Sequence, residues 1–180
     1  MNEILSYAVV YLLQFVTFLL IARFLLQACR VDFYNPISQG IIKATDLLLK
    51  PMRLVLPGYR NLDIASLFAA VLTQVILVFT LTTIAGQYPG TVLQVTVNAL
   101  ITVLLFIVKA FWWGILIMII ASFVAPGSRH PALSLLQQIT EPLLAPARRL
   151  LPPMGGLDFS PIMVFLLIGV VERVLPQLYL

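Results

Sequence analysis

The chain has 180 residues, of which 61% are hydrophobic and 10% are charged, and its formal net charge at pH 7 is +4. This composition excludes a water-soluble domain, in which about half of the residues or fewer are apolar. The mean hydropathy of +1.05 indicates an integral membrane protein instead. Cys29 is the single cysteine, so an intramolecular disulfide and a cysteine-rich metal site are excluded as well.

Four apolar runs are long enough to span a bilayer. A hydrocarbon core of about 30 Å needs about 20 helical residues at a rise of about 1.5 Å each. The first run opens with "MNE" and has no small-residue cleavage pattern, which predicts a retained helix and not a signal peptide. The runs are Ile4 to Ala22, which continues past Arg23, Ile64 to Ala85, Thr91 to Ala125, which contains Lys109, and Phe159 to Leu180.

A shift of 95 residues superimposes the two halves of the chain without a gap. Leucines coincide easily in such a composition, but three prolines, an arginine and an aspartate in one register indicate a duplication. We therefore predict two tandem repeats, residues 1–85 and 91–180, joined by an extracytoplasmic turn at 86–90. The matched residues are Pro36, Thr45, Leu48, Leu49, Pro51, Arg53, Leu56, Pro57, Leu62 and Asp63, which fall on Pro131, Thr140, Leu143, Leu144, Pro146, Arg148, Leu151, Pro152, Leu157 and Asp158, with Asp46 on Glu141.

Each repeat has a connecting element between its two spans. In "NPISQGIIKATDLLLKP" the apolar residues recur every three or four positions, as is typical of an amphipathic helix, and the copy "HPALSLLQQITEPLLAP" is similar. Pro142 predicts a bend or an end of the second helix. We expect both helices to lie in the membrane interface, with three basic residues toward lipid: Lys43, Lys50 and Arg149.

An elbow rich in proline and glycine follows each connecting helix. Two prolines bound a short segment that we predict not to be a continuous helix, and glycines permit the chain to turn back. An aspartate then caps the next span, and in the second copy a proline occupies its first turn. The elbow residues are Pro51, Arg53, Pro57 and Asp63 in the first copy and Pro146, Arg148, Pro152, Gly155, Gly156, Asp158 and Pro161 in the second.

Basic residues predict the orientation. Eight of the eleven Lys and Arg residues lie in the two connecting elements, whereas the turn between the repeats has none. By the positive-inside rule, both connecting elements face the cytoplasm and both termini lie outside. The repeats are then parallel, related by an axis along the membrane normal. The predicted fold is all-α, with about four transmembrane helices in two parallel tandem repeats.

The motifs of both copies resemble the YggT family of small bacterial inner-membrane proteins, whose plastid relatives include YlmG-type proteins. The resemblance rests on an Asn-Pro or His-Pro start, Thr-Asp or Thr-Glu before leucines, Pro-x-Arg, and Leu-Asp leading into Ser-Pro. The first copy departs from this pattern, because "GYRNLDIAS" stands in place of "GGLDFSP". The resemblance implies a multi-pass inner-membrane protein that acts in assembly, in the cell envelope or in osmotic homeostasis, and it brings no catalytic residues.

The residues themselves predict neither an enzyme nor a bound cofactor or metal. Metal-ligand spacings, a Ser/His/Asp set and a Walker-type phosphate loop are absent from the sequence. We interpret His130, the one histidine, as a helix cap or an interfacial residue in preference to a catalyst or haem ligand. Asp63 and Asp158 are interpreted as caps in preference to a cation site, and Arg53 and Arg148 as contacts to anionic headgroups.

Charged residues inside the spans are the remaining candidates for function, because charges are costly in hydrocarbon. Arg23 is near enough to the predicted cytoplasmic end to snorkel. Lys109 and Glu172 fall at comparable depth, where we predict that they pair as a structural bridge rather than as part of a transport route. Arg173 follows Glu172 directly.

Two classes of function stay open at this point. The favoured one is a noncatalytic scaffold or assembly factor that binds other membrane proteins or a second copy of itself, and anionic lipid, but not nucleic acid. The alternative is an ion-transport or osmotic-homeostasis component. A pore should align polar residues along one face, whereas here they are scattered: Gln14, Gln74, Thr80, Gln94 and Asn98.

Overall fold

A computed structural model describes residues 3–56, 58, 60–151 and 158–180, and this part of the chain is helical without a strand. The helices alternate between long apolar ones and shorter ones rich in proline and charge. A short 3₁₀ turn, Leu175–Leu178, follows the last helix. In chain order, the α-helices are α1 Glu3–Ala28, α2 Pro36–Arg53, α3 Ile64–Ala85, α4 Val92–Val124, α5 Pro131–Leu150 and α6 Ser160–Val174.

Four of these elements are long and apolar enough to cross a membrane, which confirms the four predicted spans. They are Ile4–Ala28, Ile64–Ala85, Val92–Val124 and Ser160–Leu178. At about 1.5 Å per residue, α4 is about 50 Å long and therefore extends beyond a hydrocarbon core of about 30 Å. Each repeat contributes one span, one connecting helix and a second span, so the repeats share the same element order.

Side-chain caps fix where the connecting helices begin. The Asn35 side chain accepts a hydrogen bond from the Ile37 amide at 2.9 Å, and Nδ1 of His130 accepts one from the Ala132 amide at 3.2 Å. These bonds satisfy amide groups that the first helical turn leaves unpaired. The predicted capping role of His130 is therefore confirmed.

The core consists of two packed clusters. The first joins α1, α2 and α3 through fully buried residues such as Leu20, Leu49 and Ala70, and the second joins α4, α5 and α6 around Ile115 and Leu144. Leu20 falls on Ile115, and Leu49 on Leu144, under the shift of 95 residues. The duplication has thus preserved the packing positions together with the motifs.

The two repeats also contact each other through their connecting elements. Nδ2 of Asn35 donates to the carbonyl of Pro131 at 2.8 Å, and the Asp32 amide donates to Oε1 of Gln138 at 2.8 Å. In addition, Ile139 of α5 belongs to the core cluster that is centred on α1. The connecting helices therefore pack onto the bundle and onto each other.

The connecting helices continue through the prolines inside them. Helix α5 continues through Pro142 and Pro146 to Leu150, so it does not end at Pro142, which was one of the two outcomes expected there. Helix α2 continues through Pro51 but ends at Arg53, so the segment that begins at Pro51 is not one continuous helix, as predicted. The three prolines lie on exposed helix faces, whereas the opposite faces are buried. Packing of those faces offsets the one backbone hydrogen bond that each proline removes.

Candidate functional site

Charged side chains cluster where each connecting helix returns to the next span. In the first repeat, Arg53 at the end of α2 donates from Nη2 to Oδ2 of Asp63, which stands at the start of α3. The other carboxylate oxygen of Asp63 accepts from the Ser66 amide at 3.4 Å. Asp63 is thus the predicted N-cap of α3, and its negative charge is paired as well.

Arg23 of α1 completes the first cluster. Its Nη2 lies 3.5 Å from Oδ1 of Asp46 in α2, and its Nε lies 3.8 Å from Oδ2 of Asp63. The Arg23 side chain is only 7% exposed, so the prediction that it snorkels to the surface is wrong. Arg23 thereby connects α1 to both α2 and α3. The two carboxylates compensate its charge, which would otherwise be costly to bury.

Helix α5 carries the equivalent cluster in the second repeat. Arg148 donates from Nη1 to both oxygens of Glu141 at 2.9 Å and from Nε to Oδ2 of Asp158 at 2.9 Å. Oδ1 of Asp158 accepts from the Ser160 amide at 2.9 Å. Asp158 therefore caps α6 from one position earlier than predicted, since Phe159 is the residue directly before the helix.

Hydrogen bonds stabilise the charged forms in the second cluster. Burial alone raises the pKa of Asp158, but the bonds from Ser160 and Arg148 outweigh it, and the pKa of this carboxyl lies below its usual value. The bond to Asp158, together with those to Glu141, raises the pKa of Arg148 against the opposing effect of burial. Both groups are therefore held charged at neutral pH.

The shift of 95 residues maps one acid–arginine–acid triad onto the other. Asp46, Arg53 and Asp63 fall on Glu141, Arg148 and Asp158, whereas Arg23 falls on Met118. The first triad is accordingly more buried: the Asp63 side chain is 2% exposed and the Asp158 side chain 34%. The extra arginine permits the deeper position, since it compensates a carboxylate that water does not reach.

The elbow residues of the sequence prediction are brought together only in part. Arg53 and Arg148 bind carboxylates of the chain, which replaces their predicted contact with lipid headgroups. Pro161 lies in the first turn of α6, as predicted. Two further prolines and two glycines of the predicted elbows lie outside the described residues: Pro57, Pro152, Gly155 and Gly156.

Three basic residues were predicted to face lipid, and all three are exposed: Lys43, Lys50 and Arg149. The ammonium group of Lys50 also lies 3.6 Å from Oδ2 of Asp46, one helical turn away. An exposed pair of this kind contributes little to stability. Contact of these residues with lipid stays a prediction.

The predicted pair of Lys109 and Glu172 is not formed. Helices α4 and α6 run in opposite directions, and the Thr102 hydroxyl lies 3.1 Å from the hydroxyl of Tyr179, which follows the 3₁₀ turn after α6. Lys109 is seven residues after Thr102 and Glu172 is seven residues before Tyr179, so the two charged residues fall at comparable depth. Yet within the described part of the chain neither side chain has an ion-pair partner within 4 Å. Lys109 is exposed, Glu172 is half-buried and Arg173 is exposed.

The polar residues of the spans do not form a continuous path. Gln74 donates to the Thr17 hydroxyl at 2.9 Å between α3 and α1. The Thr80 hydroxyl binds a carbonyl of its own helix, and Gln94 forms a capping box with Thr91. Asn98 bonds to the backbone of Leu180, and Gln14 is exposed on α1.

Sequence reasoning missed the acidic partners within the helices. Asp46 and Glu141 coincide under the shift, and each precedes its arginine by seven residues, which places both on one helix face. This repeated spacing of seven residues could have predicted that each acid pairs with its arginine. Among the residues described by the structure, no group of three or more His, Cys, Asp or Glu side chains could hold a metal ion.

Comparisons with known proteins agree with the duplication. A family model described as CCB3/YggT matches residues 2–84 and again residues 97–179, two segments that begin 95 residues apart. No solved structure matches the chain.

Several curated bacterial proteins, all described as uncharacterised, are similar over most of their length. One from Pseudomonas aeruginosa is 42% identical over 173 residues, covering 93% of this chain and 88% of the relative. The protein YggT of Escherichia coli is 37% identical over 156 residues, covering 87% and 80%. A protein of Vibrio alginolyticus is 39% identical over 150 residues, covering 81% and 79%.

Proposed function

The chain belongs to the CCB3/YggT family, and we propose that it is a noncatalytic scaffold of the bacterial inner membrane, with both connecting elements in the cytoplasm. In this role it binds other membrane proteins through the lipid-facing sides of its spans and anionic lipid through its connecting elements. The observation that carries the proposal is that every triad carboxylate is paired with a basic side chain of the same chain, which gives the charged clusters a structural role.

The charge balance supports anionic lipid as one partner. The triads together hold four carboxylates and four basic groups, of which Arg23, Lys50 and Arg53 lie in the first repeat and Arg148 in the second. Outside the triads, the connecting elements contain one acidic residue, Asp32, against five basic ones: Arg30, Lys43, Arg60, Arg129 and Arg149. An excess of positive charge next to a span attracts anionic headgroups and favours the cytoplasmic side.

The outer surface supports membrane proteins as the other partners. Large apolar side chains are exposed along every span, among them Phe15, Phe79, Trp113 and Leu166. Such faces suit lipid and neighbouring helices equally. The ordered bonds of Gln74, Gln94 and Asn98 leave few polar groups for an ion route, which favours the scaffold over the transport alternative.

A flux assay separates the two functions. Purified protein is reconstituted into liposomes, and the release of K⁺ and H⁺ is compared with that from empty liposomes and from liposomes containing Lys109→Met, which removes a charge inside a span. The scaffold predicts no flux above the empty control. Saturable flux that Lys109→Met abolishes without unfolding would establish the ion-transport or osmotic-homeostasis function instead.

Labelling tests the proposed orientation. Cys29 is replaced by Ala, and single cysteines are introduced at Lys43 and Gln137, which are both exposed. A membrane-impermeant thiol reagent should label these cysteines in inverted vesicles and not in intact spheroplasts, and a cysteine at Gln87 should behave in the opposite way. Labelling of Lys43→Cys from outside would overturn the cytoplasmic assignment.

A further inference from the structure

Two arginines adopt a backbone conformation that usually belongs to glycine. Among the described residues, Arg30 (φ 53°) and Arg60 (φ 52°) are the non-glycine residues with positive φ. A side chain with Cβ is disfavoured there, and such residues concentrate at ligand sites. At Arg30 the reason for the conformation is the end of α1, where the Val31 amide bonds back to the Leu26 carbonyl at 2.9 Å, a turn in which glycine is the common choice.

Both arginines line the same groove, whose volume is about 530 Å³. Its polar walls include Gln27 and Asn61, and the Asn61 amide oxygen, when turned toward Arg30, accepts from Nη2 at 2.7 Å. Among the described residues of the lining, Asp32 is the acidic one, and its carboxylate accepts from the Tyr34 amide at 2.9 Å. The groove therefore has two guanidinium groups against one carboxylate.

The position of the groove is that of a membrane boundary. It lies between the end of the first span and the approach to the second, and its rim includes Phe33 and Tyr34, the latter 88% exposed. Aromatic side chains are enriched at the level of lipid headgroups. A ligand held here would therefore come from the headgroup layer or from the water next to it.

The second repeat has a groove in the equivalent place. Under the shift of 95 residues, Gln27, Arg30, Asp32, Phe33 and Tyr34 fall on five residues that all line a second groove of about 450 Å³: Ser122, Ala125, Gly127, Ser128 and Arg129. Arg129 is a basic side chain in the lining of this groove. The duplication has thus retained a groove beside each first span. An arginine lines each groove, although Arg129 corresponds to Tyr34 and Arg30 to Ala125.

We propose that the groove lined by Arg30 and Arg60 binds a phosphate group, and that the second groove is a weaker copy of the same site. Guanidinium groups bind phosphate oxygens in pairs, which fixes orientation as well as charge. The phosphate comes either from an anionic phospholipid headgroup or from free phosphate. The inference rests on the proposed lipid-binding function and deepens it, because it assigns a defined site in addition to diffuse surface charge.

Glycine substitutions test the site without straining the fold. Arg30→Gly and Arg60→Gly remove both guanidinium groups, while glycine accepts positive φ freely. The double variant should melt in neutral phosphatidylcholine nanodiscs at least as high as the wild type does. In nanodiscs containing phosphatidylglycerol, the wild type should melt at a higher temperature than in neutral ones, and the double variant should lose most of that shift.

If the glycine pair does not fold, Arg30→Asn with Arg60→Asn replaces it, since Asn also tolerates this conformation.

A matched control separates the site from surface charge. Lys43→Gln with Arg149→Gln removes the same charge elsewhere on the connecting elements, and should leave most of the phosphatidylglycerol shift in place. A second arm adds inorganic phosphate to neutral nanodiscs: a melting shift that only the glycine pair abolishes would assign the site to free phosphate.

Two outcomes would contradict the proposed phosphate site. If the glycine pair keeps the full phosphatidylglycerol shift while the Lys43 and Arg149 variant loses it, lipid binding survives as diffuse attraction and the defined site is wrong. If the wild type responds neither to phosphatidylglycerol nor to phosphate, the site and the lipid part of the proposed function both fail, whereas the flux assay still decides between scaffold and transporter.

Discussion

Arg148 donates to Asp158 over 2.9 Å, ten residues along the chain, and thereby links the end of α5 to the start of α6. Arg53 and Asp63 form the same pair, again ten residues apart, between α2 and α3. The contact is local in sequence, so closing it costs little loop entropy. The duplicated elbow is therefore fixed by an ion pair at each copy, and the copies differ mainly in burial.

The first prediction compares the two capping aspartates. Asp63→Ala removes a buried carboxylate and leaves Arg23 and Arg53 without it, so the free energy of unfolding should fall by about 3–5 kcal/mol. Asp158→Ala removes a partly exposed carboxylate and should cost only about 1–2 kcal/mol. Titration with SDS in mixed micelles measures both values.

The corresponding amides refine this comparison. Asp158→Asn keeps the cap and should preserve most of the stability, whereas Asp63→Asn should lose nearly as much as Asp63→Ala, because its charge is needed by two arginines. Equal losses for Asp63→Ala and Asp158→Ala would contradict the difference in burial between the two triads.

The second prediction concerns Arg23, which the second repeat replaces by Met118. Arg23→Met should destabilise the protein by about 3 kcal/mol, since Asp46 and Asp63 each lose a buried partner. Met118→Leu, the matched apolar change in the other copy, should cost under about 1.5 kcal/mol. The same micelle titration applies. A loss below that of Met118→Leu would mean that Arg53 and Lys50 alone neutralise the cluster.

Much of the fold could be predicted from the sequence, and the charged site only in part. The four spans follow from apolar length, and the caps at Asp63 and His130 follow from their position before a helix. The continuation of α5 through its prolines could not be predicted in this way. Proline disfavours a helix through local sterics and a lost hydrogen bond, whereas the burial that stabilises the opposite face of α5 depends on tertiary packing. The partners of Arg23 also depend on tertiary packing, because they come from two other helices. The position of Arg23 along its own span therefore did not predict them.

The third prediction is a dependence of stability on pH in the second triad. The pKa of Asp158 is lower in the folded state than its usual value, so the stability it contributes is present above the unfolded pKa of about 3.9 and is lost as the pH falls through the lower folded pKa. Melting temperatures of wild type and Asp158→Asn in neutral nanodiscs should differ by a constant amount from pH 7 to about pH 5, and then converge below about pH 4. A difference that grows on acidification would contradict the assigned pairing.

The fourth prediction uses two glycines in spans. A Cβ at Gly114 in α4 would lie 3.1 Å from Cγ2 of Thr140 in α5, whereas a Cβ at Gly169 in α6 meets no atom within 4 Å. Gly114→Leu should therefore separate α4 from α5 and cost about 1–3 kcal/mol or more. Gly169→Ala should be neutral, or stabilising by up to about 1 kcal/mol. Micelle titration measures both, and a clear loss for Gly169→Ala would indicate that another helix packs closely against that face.

The last prediction concerns Lys109 in α4 and Glu172 in α6, which fall at comparable depth but do not pair. If Lys109 and Glu172 do not interact within the chain, Lys109→Met and Glu172→Gln should change the free energy of unfolding independently, and the double variant should equal their sum within about 0.5 kcal/mol. Lys109→Met alone should not destabilise, because it removes a charge from an exposed site in a span.

The measurement is a double-mutant cycle in nanodiscs that hold a single copy of the chain, repeated at a protein-to-lipid ratio at which two copies share a disc. Additivity in both preparations supports independent charges. Coupling that appears only with two copies would place Glu172 of one chain against Lys109 of the other. In a two-fold dimer this contact occurs twice, because Lys109 of the first chain then also meets Glu172 of the second. Coupling already in single-copy discs would contradict the exposed position of Lys109 and restore the bridge within one chain.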